Sequence, residues 1–168
     1  MDPADSHTDE IALSAEEFDA VRAALARVTS TGGGAQAHSL LAQWSALVDE
    51  VEEGYSWCAP ELDNDLSCRN ALAKVWPLLP SRVRAIRQPE LDCIDVRYRR
   101  ATIPWPDRPE EGARWWTWRV PRRLDVEAAE RRDPDWPLGW EMMPFPRPAS
   151  VEVVTWQYVP IRPSTKRM

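Results

Sequence analysis

Prolines are the feature of this 168-residue chain that most restricts its fold. The chain contains 16 prolines against six glycines, and most of the prolines follow Trp76. Because the proline ring fixes φ and removes a backbone hydrogen-bond donor, a proline inside a helix breaks or kinks it. The residue before each proline is also pushed toward extended conformations. The second half is therefore expected to contain short elements and stiff, extended connections, and long helices are expected mainly in the first half.

The length and composition are typical of one globular domain. A chain of this size buries roughly 70% of its unfolded surface on folding, which is enough for a hydrophobic core. No apolar run approaches the roughly 18 residues that suggest a membrane span. The acidic start MDPADSHTDE lacks the basic and apolar order of a signal peptide. Three widely spaced cysteines suit a reducing compartment, so a cytoplasmic location is expected.

Apolar periodicity predicts a helical bundle in the first hundred residues. Residues 1–13 are expected to be a disordered acidic tail, and TSTGGGAQA at 29–37 has the composition of a flexible linker. Helices are predicted at 15–28, 38–53, about 63–75, 81–88 and 89–101, with Pro89 kinking or breaking the last pair. Residues 14–168 are expected to form a single domain.

Two segments of the second half alternate in the manner of β-strands. They are WWTWRV (115–120) and VEVVTWQYV (151–159). Pro121 disfavours α conformation at Val120, and it can itself open a helix that runs to Arg132. The predicted fold class is mainly α (α+β), with four to five helices in a bundle and a small C-terminal antiparallel β element.

Paired carboxylates are the best candidates for catalysis in this sequence. Glu50 and Glu53 are three residues apart on a predicted helix, and Asp92 and Asp95 repeat that spacing on a later one. Two facing helices with such pairs could bind magnesium through carboxylate oxygens and retained waters. One hypothesis is therefore a magnesium-dependent all-α enzyme that acts on a phosphorylated small molecule or nucleotide. The competing interpretation is a solvated acidic face.

Other catalytic and cofactor signatures are not found. Cys58, Cys68 and Cys93 lack the close spacing of zinc ligands. The TGGGAQ run lacks the lysine and the spacing of a phosphate-binding loop, and no serine-nucleophile motif occurs. No cofactor is expected.

The stretch ARWWTWRVPRR (113–123) mixes aromatic and basic residues in a way that can suit single-stranded nucleic acid. Bases stack on exposed rings while arginines neutralise phosphates. The whole chain, however, has a net charge of −6 and a pI near 5.0, and no nucleic-acid fold signature is present. We expect no nucleic-acid partner, and we predict that Trp116 and Trp118 belong to the core.

Charge is divided unevenly along the chain. Residues 1–65 carry fourteen acidic and two basic side chains, whereas residues 66–168 carry thirteen acidic and nineteen basic ones. The halves could neutralise each other by docking, or the basic half could offer a surface to an anionic partner. Arg119, Arg122 and Arg123 are the predicted partner contacts, because the last two stand where positive charge disfavours the predicted helix.

The middle of the chain also resembles a known group of sequences. The matching residues are Trp44, Val51, Gly54, Tyr55, Asn64, Asp65, Leu66, Arg69, Leu91, Asp92, Arg97, Tyr98 and Thr102. On these residues, about 40–102 is similar to a group of small conserved proteins of high-GC bacteria to which no activity is assigned. The resemblance implies a shared α-helical core and no catalytic residues.

An acidic N-terminal half without catalytic motifs favours a non-enzymatic function. The leading hypothesis is a partner-binding or neutralising protein, of which an immunity-like inhibitor is one form. Its partner is expected to be another protein, and neither nucleic acid nor a membrane is expected to bind.

Overall fold

The computed structural model of this chain describes residues 12–28 and 37–156. The predicted N-terminal tail lies outside the described residues except for its last two positions, of which Leu13 packs against the core. The predicted linker lies outside them up to residue 36, and so do residues 157–159 of the last predicted strand.

Five α-helices account for about half of the described chain. They are α1 (Ala15–Val28), α2 (Ala37–Glu53), α3 (Ala59–Asp65), α4 (Ser67–Val75) and α5 (Ser81–Ala101). The predicted apolar stripe of α2 is buried from Leu40 to Val51, as expected for an amphipathic helix facing a core. α2 packs against α4 and α5, and α1 lies against α4. The mainly α fold class is confirmed.

The helix predicted at about 63–75 is two helices in the structure. α3 begins earlier than predicted, with Pro60 in its first turn, where the missing N–H has no intrahelical partner to lose. Leu66 separates α3 from α4, and its side chain is buried. The chain therefore passes from α3 to α4 within the core.

Pro89 does not break the helix, so the sequence prediction of two separate helices at 81–88 and 89–101 was wrong. α5 continues through it for 21 residues. An interior proline costs a helix about 3 kcal/mol, but this cost can be offset by tertiary packing. Leu91, Ile94 and Tyr98, which follow the proline, are all buried against the other helices. Pro89 itself is exposed.

Two small sheets complete the described chain. β1 (Thr102–Pro104) follows α5 directly and pairs antiparallel with β2 (Arg119–Pro121). β3 (Arg123–Val126) pairs parallel with β4 (Glu152–Thr155), with Leu124 opposite Val153. A small β element near the C-terminus is thus present as predicted. The two predicted strand segments do not pair with each other, and one of the two sheets is parallel.

The tryptophan stretch forms a tight helical turn before it becomes a strand. Trp115–Trp118 is a 3₁₀ helix, and the extended conformation begins only at Arg119. Arg114, at φ 62°, turns the chain into it, and the N–H of Thr117 donates to the carbonyl of Arg114 at 3.0 Å. Because residues three apart share a side in a 3₁₀ turn, the apolar spacing also suits this conformation. The prediction of a strand was wrong for residues 115–118 and is confirmed for Arg119 and Val120.

The helix predicted from Pro121 to Arg132 is also absent. This segment contains β3 and a short 3₁₀ turn, Ala128–Glu130. Leu124 and Val126 are buried while their neighbours are not, which is the two-residue period of a strand. Parallel pairing with β4 satisfies the backbone of β3, and no sequence-local signal identifies that distant partner.

The core of the described residues is one hydrophobic cluster that spans helices and sheets. Trp44 and Trp140 are its largest fully buried side chains, one from α2 and one from the irregular segment after β3. Within residues 12–28 and 37–156, no helix has the length and apolar character needed to cross a membrane.

Candidate functional site

A cleft of about 340 Å³ opens where the C-terminal ends of α2 and α5 meet the connection between β2 and β3. Its lining is Val51, Glu52, Arg97, Arg100, Ala101, Arg122 and Arg123. Four guanidinium groups therefore face one carboxylate. The cleft contains two of the three arginines predicted as partner contacts, and it is the candidate site of this protein.

Two structural elements bring these arginines together. Arg97 and Arg100 are three residues apart on α5 and so share a helix face. Arg122 is held against the end of the same helix, because its backbone N–H donates to the carbonyl of Ala101 at 2.9 Å. Its side-chain Nε also donates to the carbonyl of Arg100 at 2.9 Å. The connection between the strands is thereby attached to the last turn of α5.

Most of the outward donors in the cleft have no partner in the described part of the chain. The Nε of Arg123 donates to Asp125 Oδ1 at 3.3 Å, and the Nε of Arg122 is used at the helix end. The terminal nitrogens of both side chains make no hydrogen bond among the described residues, and the exposed Arg100 guanidinium makes none at all there. Positive charge is favourable beside a helix C-terminus. Arg122 and Arg123 therefore do not stand at an unfavourable helix start, as the sequence had suggested.

Among the described residues, Arg97 is the one cleft arginine that pairs with two carboxylates. It forms ion pairs with Asp49 and Glu52 of α2, and its Nε donates to Glu52 Oε1 at 2.9 Å. The hydrogen bonds that Arg97 donates to Asp49, first, and to Glu52 raise the pKa of its guanidinium above its usual value. Glu52 is thus an internal counter-ion inside the cleft.

Arg119 does not lie on the surface, which corrects its prediction as a partner contact. Only 7% of the residue is exposed. Its Nε donates to Thr102 Oγ1 at 2.7 Å, and its Nη2 donates to the carbonyls of Arg99 and Thr102 at 3.0 and 3.1 Å. Burial lowers the pKa of Arg119 below its usual value. Arg119 satisfies carbonyls at the end of α5 and has no face available to a partner.

The structure does not assemble the predicted magnesium ligands. Glu50 and Glu53 are exposed on α2, and Asp92 accepts a hydrogen bond from Gln88 Nε2 at 2.8 Å. Both carboxylate oxygens of Asp95 accept hydrogen bonds from Arg69 or Trp44. Among the described residues, no three histidine, cysteine, aspartate or glutamate side chains form a group that could hold a metal ion.

Asp95 belongs instead to a half-buried polar network that sequence reasoning missed. Arg69 Nε and Nη2 donate to its two oxygens at 3.0 Å each, and Trp44 Nε1 donates to Oδ1 at 3.0 Å. The Arg69 guanidinium also lies over the Trp116 ring, 4.0 Å from its centroid. Asp65, which lies four residues before Arg69, accepts instead from the Tyr55 hydroxyl at 2.7 Å. Local spacing contains no signal for a pair 26 residues apart.

The tryptophans of the central stretch do not form an open stacking surface. Trp116 is buried, and its Nε1 donates to Asn70 Oδ1 at 2.8 Å. The half-buried ring of Trp115 is covered by Arg99, and that of Trp118 by Arg108, at 3.7 and 3.9 Å from guanidinium carbon to ring centroid. The arginines of this region therefore cover the rings instead of leaving them free for a nucleic-acid base.

Together these features describe a mainly α protein with two small sheets and an arginine-lined cleft at their junction. Comparison of the chain with protein-family models, curated proteins and solved structures found no match.

Proposed function

We propose that this chain is a non-catalytic binding protein that docks an acidic surface of another protein on its arginine-lined cleft. The observation that carries the proposal is the unpaired outward donors of Arg100, Arg122 and Arg123 around one cleft in the described structure. Guanidinium groups are planar, permanently charged and matched to carboxylates, so they are common in protein interfaces.

Internal ion pairs support this proposal, because they neutralise only some of the arginines of the basic half. Arg82 pairs with Glu17, and Arg97 pairs with Asp49 and Glu52, so part of the basic half is neutralised by the acidic half. The remaining cleft arginines keep a local positive charge on a protein whose net charge is −6. Such a patch steers an acidic partner toward one face and determines its orientation.

Neutralisation of a toxin by an immunity-like inhibitor is one form that this binding could take, and it stays part of the proposal. We place the binding in the cytoplasm, because Cys58, Cys68 and Cys93 are all free thiols, which suits a reducing compartment. No feature of the described residues favours the magnesium-dependent enzyme, since Asp95 is engaged by Arg69 and Trp44.

The proposal is tested by affinity capture with charge-matched variants. Tagged wild type, an Arg100→Gln/Arg123→Gln variant and an Arg22→Gln/Arg27→Gln control are incubated with native lysate, and retained proteins are quantified by mass spectrometry. Arg22 and Arg27 are exposed on α1, so the control removes the same charge from another surface. We expect one acidic protein that wild type and control retain and the cleft variant loses.

Salt provides the second criterion. At about 1 M salt the Debye length falls to about 3 Å, so a complex that rests on exposed guanidinium groups should be released. A partner that all three proteins retain equally, or that high salt leaves in place, would place the binding surface elsewhere and refute the proposal.

A further inference from the structure

We infer that the arginine-lined cleft binds a phosphorylated side chain of the partner protein. This inference rests on the proposed function and names the group that the cleft recognises. Three features of the cleft lead to it: the anchored arginines, the balance of charge, and the size of the space.

The first feature is the anchoring of two guanidinium groups. Arg122 is held through Nε by the carbonyl of Arg100, and Arg123 is held through Nε by Asp125. In each case the terminal nitrogens, which form the outward edge of the guanidinium fork, stay unpaired among the described residues. Because these guanidinium groups are already held in place, the arginine side chains lose less conformational entropy when an oxyanion binds them.

The second feature is the excess of positive charge over oxygen acceptors. Arg100, Arg122 and Arg123 offer three cations, and among the described residues only Arg123 forms an ion pair with a carboxylate. A carboxylate brings one charge and two oxygens, whereas a phosphate monoester brings nearly two charges and three strong acceptor oxygens. The phosphate group can therefore engage all three arginines at once.

The third feature is the size and lining of the cleft. Its volume of about 340 Å³ is at the lower end of the range of roughly 300–1,000 Å³ typical of ligand pockets. It suits one side chain with its terminal group and is too small for a helix or a strand. Val51 and Ala101 supply apolar contact for the stem of such a side chain.

Glu52 determines how tightly this group binds. It occupies the cleft as the partner of Arg97, and as a negative charge it repels an entering phosphate. Substitution of Glu52 by glutamine removes that repulsion and leaves Arg97 less engaged. We expect Glu52→Gln to strengthen phosphate binding and to leave the fold unchanged, because the pair is exposed.

The experiment compares three capped peptides by isothermal titration calorimetry on the full chain. The peptides differ only at one central position, which is phosphoserine, glutamate or serine. We expect the phosphoserine peptide to bind about ten-fold more tightly than the glutamate peptide, equivalent to about 1.4 kcal/mol, and the serine peptide to give no measurable heat. Phenyl phosphate is titrated in parallel to represent a free phosphate monoester.

Charge variants test whether the phosphoserine peptide binds in the cleft. Arg100→Gln/Arg123→Gln should weaken phosphoserine binding by about ten-fold or more, while Arg22→Gln/Arg27→Gln should change it by less than about two-fold. Both replaced pairs are exposed, and thermal unfolding checks that each variant is folded. Arg100→Lys/Arg123→Lys keeps the charge and removes the fork, so it should bind with intermediate strength.

Each alternative outcome has a defined meaning. Equal binding of the glutamate and phosphoserine peptides would refute the phosphate inference and leave the proposed docking of an acidic partner intact. Equal binding of phenyl phosphate and the phosphopeptide would refute the assignment to a protein side chain. Phosphopeptide binding that the cleft variant retains would refute the cleft as the site. A partner that is lost by the cleft variant but carries no phosphate would refute this inference alone.

Discussion

Arg119 and Arg122 both hold the C-terminal end of α5, although only Arg119 is buried. Arg119 uses its guanidinium for the carbonyls of Arg99 and Thr102, and Arg122 uses its Nε for that of Arg100. The last carbonyls of a helix lack intrahelical partners, and a buried carbonyl left without a donor costs more than an exposed one. The two arginines should therefore differ in their contribution to stability.

We predict that Arg119→Gln lowers the free energy of unfolding by about 2–4 kcal/mol, because several buried acceptors lose a charged donor. Arg122→Gln should cost less than about 1 kcal/mol, since the side chain is exposed and its backbone N–H still bonds to Ala101. Urea denaturation of both variants measures the difference. Equal losses would show that burial of Arg119 contributes nothing to its role.

Asp95 is the second residue whose role depends on burial. Its side chain is 17% exposed and that of its partner Arg69 is 8% exposed. We predict that Asp95→Asn destabilises the protein by about 2–4 kcal/mol, because it leaves the Arg69 charge buried without a counter-charge. Denaturant unfolding measures this loss.

A double-mutant cycle separates the pair from simple loss of packing. With Arg69→Met as the second change, the two effects should couple by more than about 1 kcal/mol, as expected for side chains in direct contact. Additive effects would indicate that the pair contributes no interaction energy.

At the scale of elements, the tryptophan stretch places neighbouring rings in different environments. Trp116 is buried against Arg69 and Asn70, whereas Trp118 is half-buried and packs on Trp105 and Arg108. A 3₁₀ turn produces this result because residues two apart point in different directions. A strand would have placed both rings on one face.

We predict that Trp116→Ala destabilises the protein by about 3–5 kcal/mol, the usual cost of emptying a large buried site. Trp118→Ala should cost about 1–2 kcal/mol, because less of its surface is removed from water. Chemical unfolding of the two single variants provides the comparison. Equal losses of stability in the two variants would contradict the inference that Trp116 contributes more because it is more deeply buried.

Pro89 gives the other prediction at this scale. Pro89→Ala should stabilise α5 by about 1–2 kcal/mol, since the helix penalty of about 3 kcal/mol is removed while the unfolded chain regains about 1 kcal/mol of entropy. Its position is exposed, so alanine meets no packing constraint. The thermal unfolding midpoint should rise. A lower midpoint would show that the proline ring makes a stabilising contact.

For the molecule as a whole, the distribution of charge leads to a prediction about nucleic-acid partners. The tryptophan rings of residues 115–118 are buried or covered by arginines, and the chain has a net charge of −6. Single-stranded nucleic acids need exposed rings and a continuous basic groove. The cleft offers a localised positive charge on an acidic protein, which suits a single anionic group.

We therefore predict no measurable binding of single-stranded DNA or RNA at physiological salt. Fluorescence anisotropy with labelled oligonucleotides is the measurement. Micromolar affinity with a steep dependence on salt would contradict the prediction, because that dependence is the signature of many phosphate contacts.

The amino-acid sequence by itself determined the helices whose apolar faces repeat with the helical period. The stripe of α2 and the mainly α class with a small β element both follow from patterns within a dozen residues. Arg122 and Arg123 were predicted as partner contacts, and the structure places both in the cleft, although the helix start on which the prediction rested is absent. Arg97 and Arg100 were not predicted as site residues.

The tertiary structure alone decided which residues meet. Pairing of β3 with β4, the contact of Arg69 with Asp95, and the assembly of four arginines around Glu52 join positions far apart in the chain. It also decided that Pro89 stays inside a helix and that Arg119 is buried. The physical reason is the same in each case. Burial and long-range packing contribute more free energy than local conformational preference, and the local sequence records only that preference.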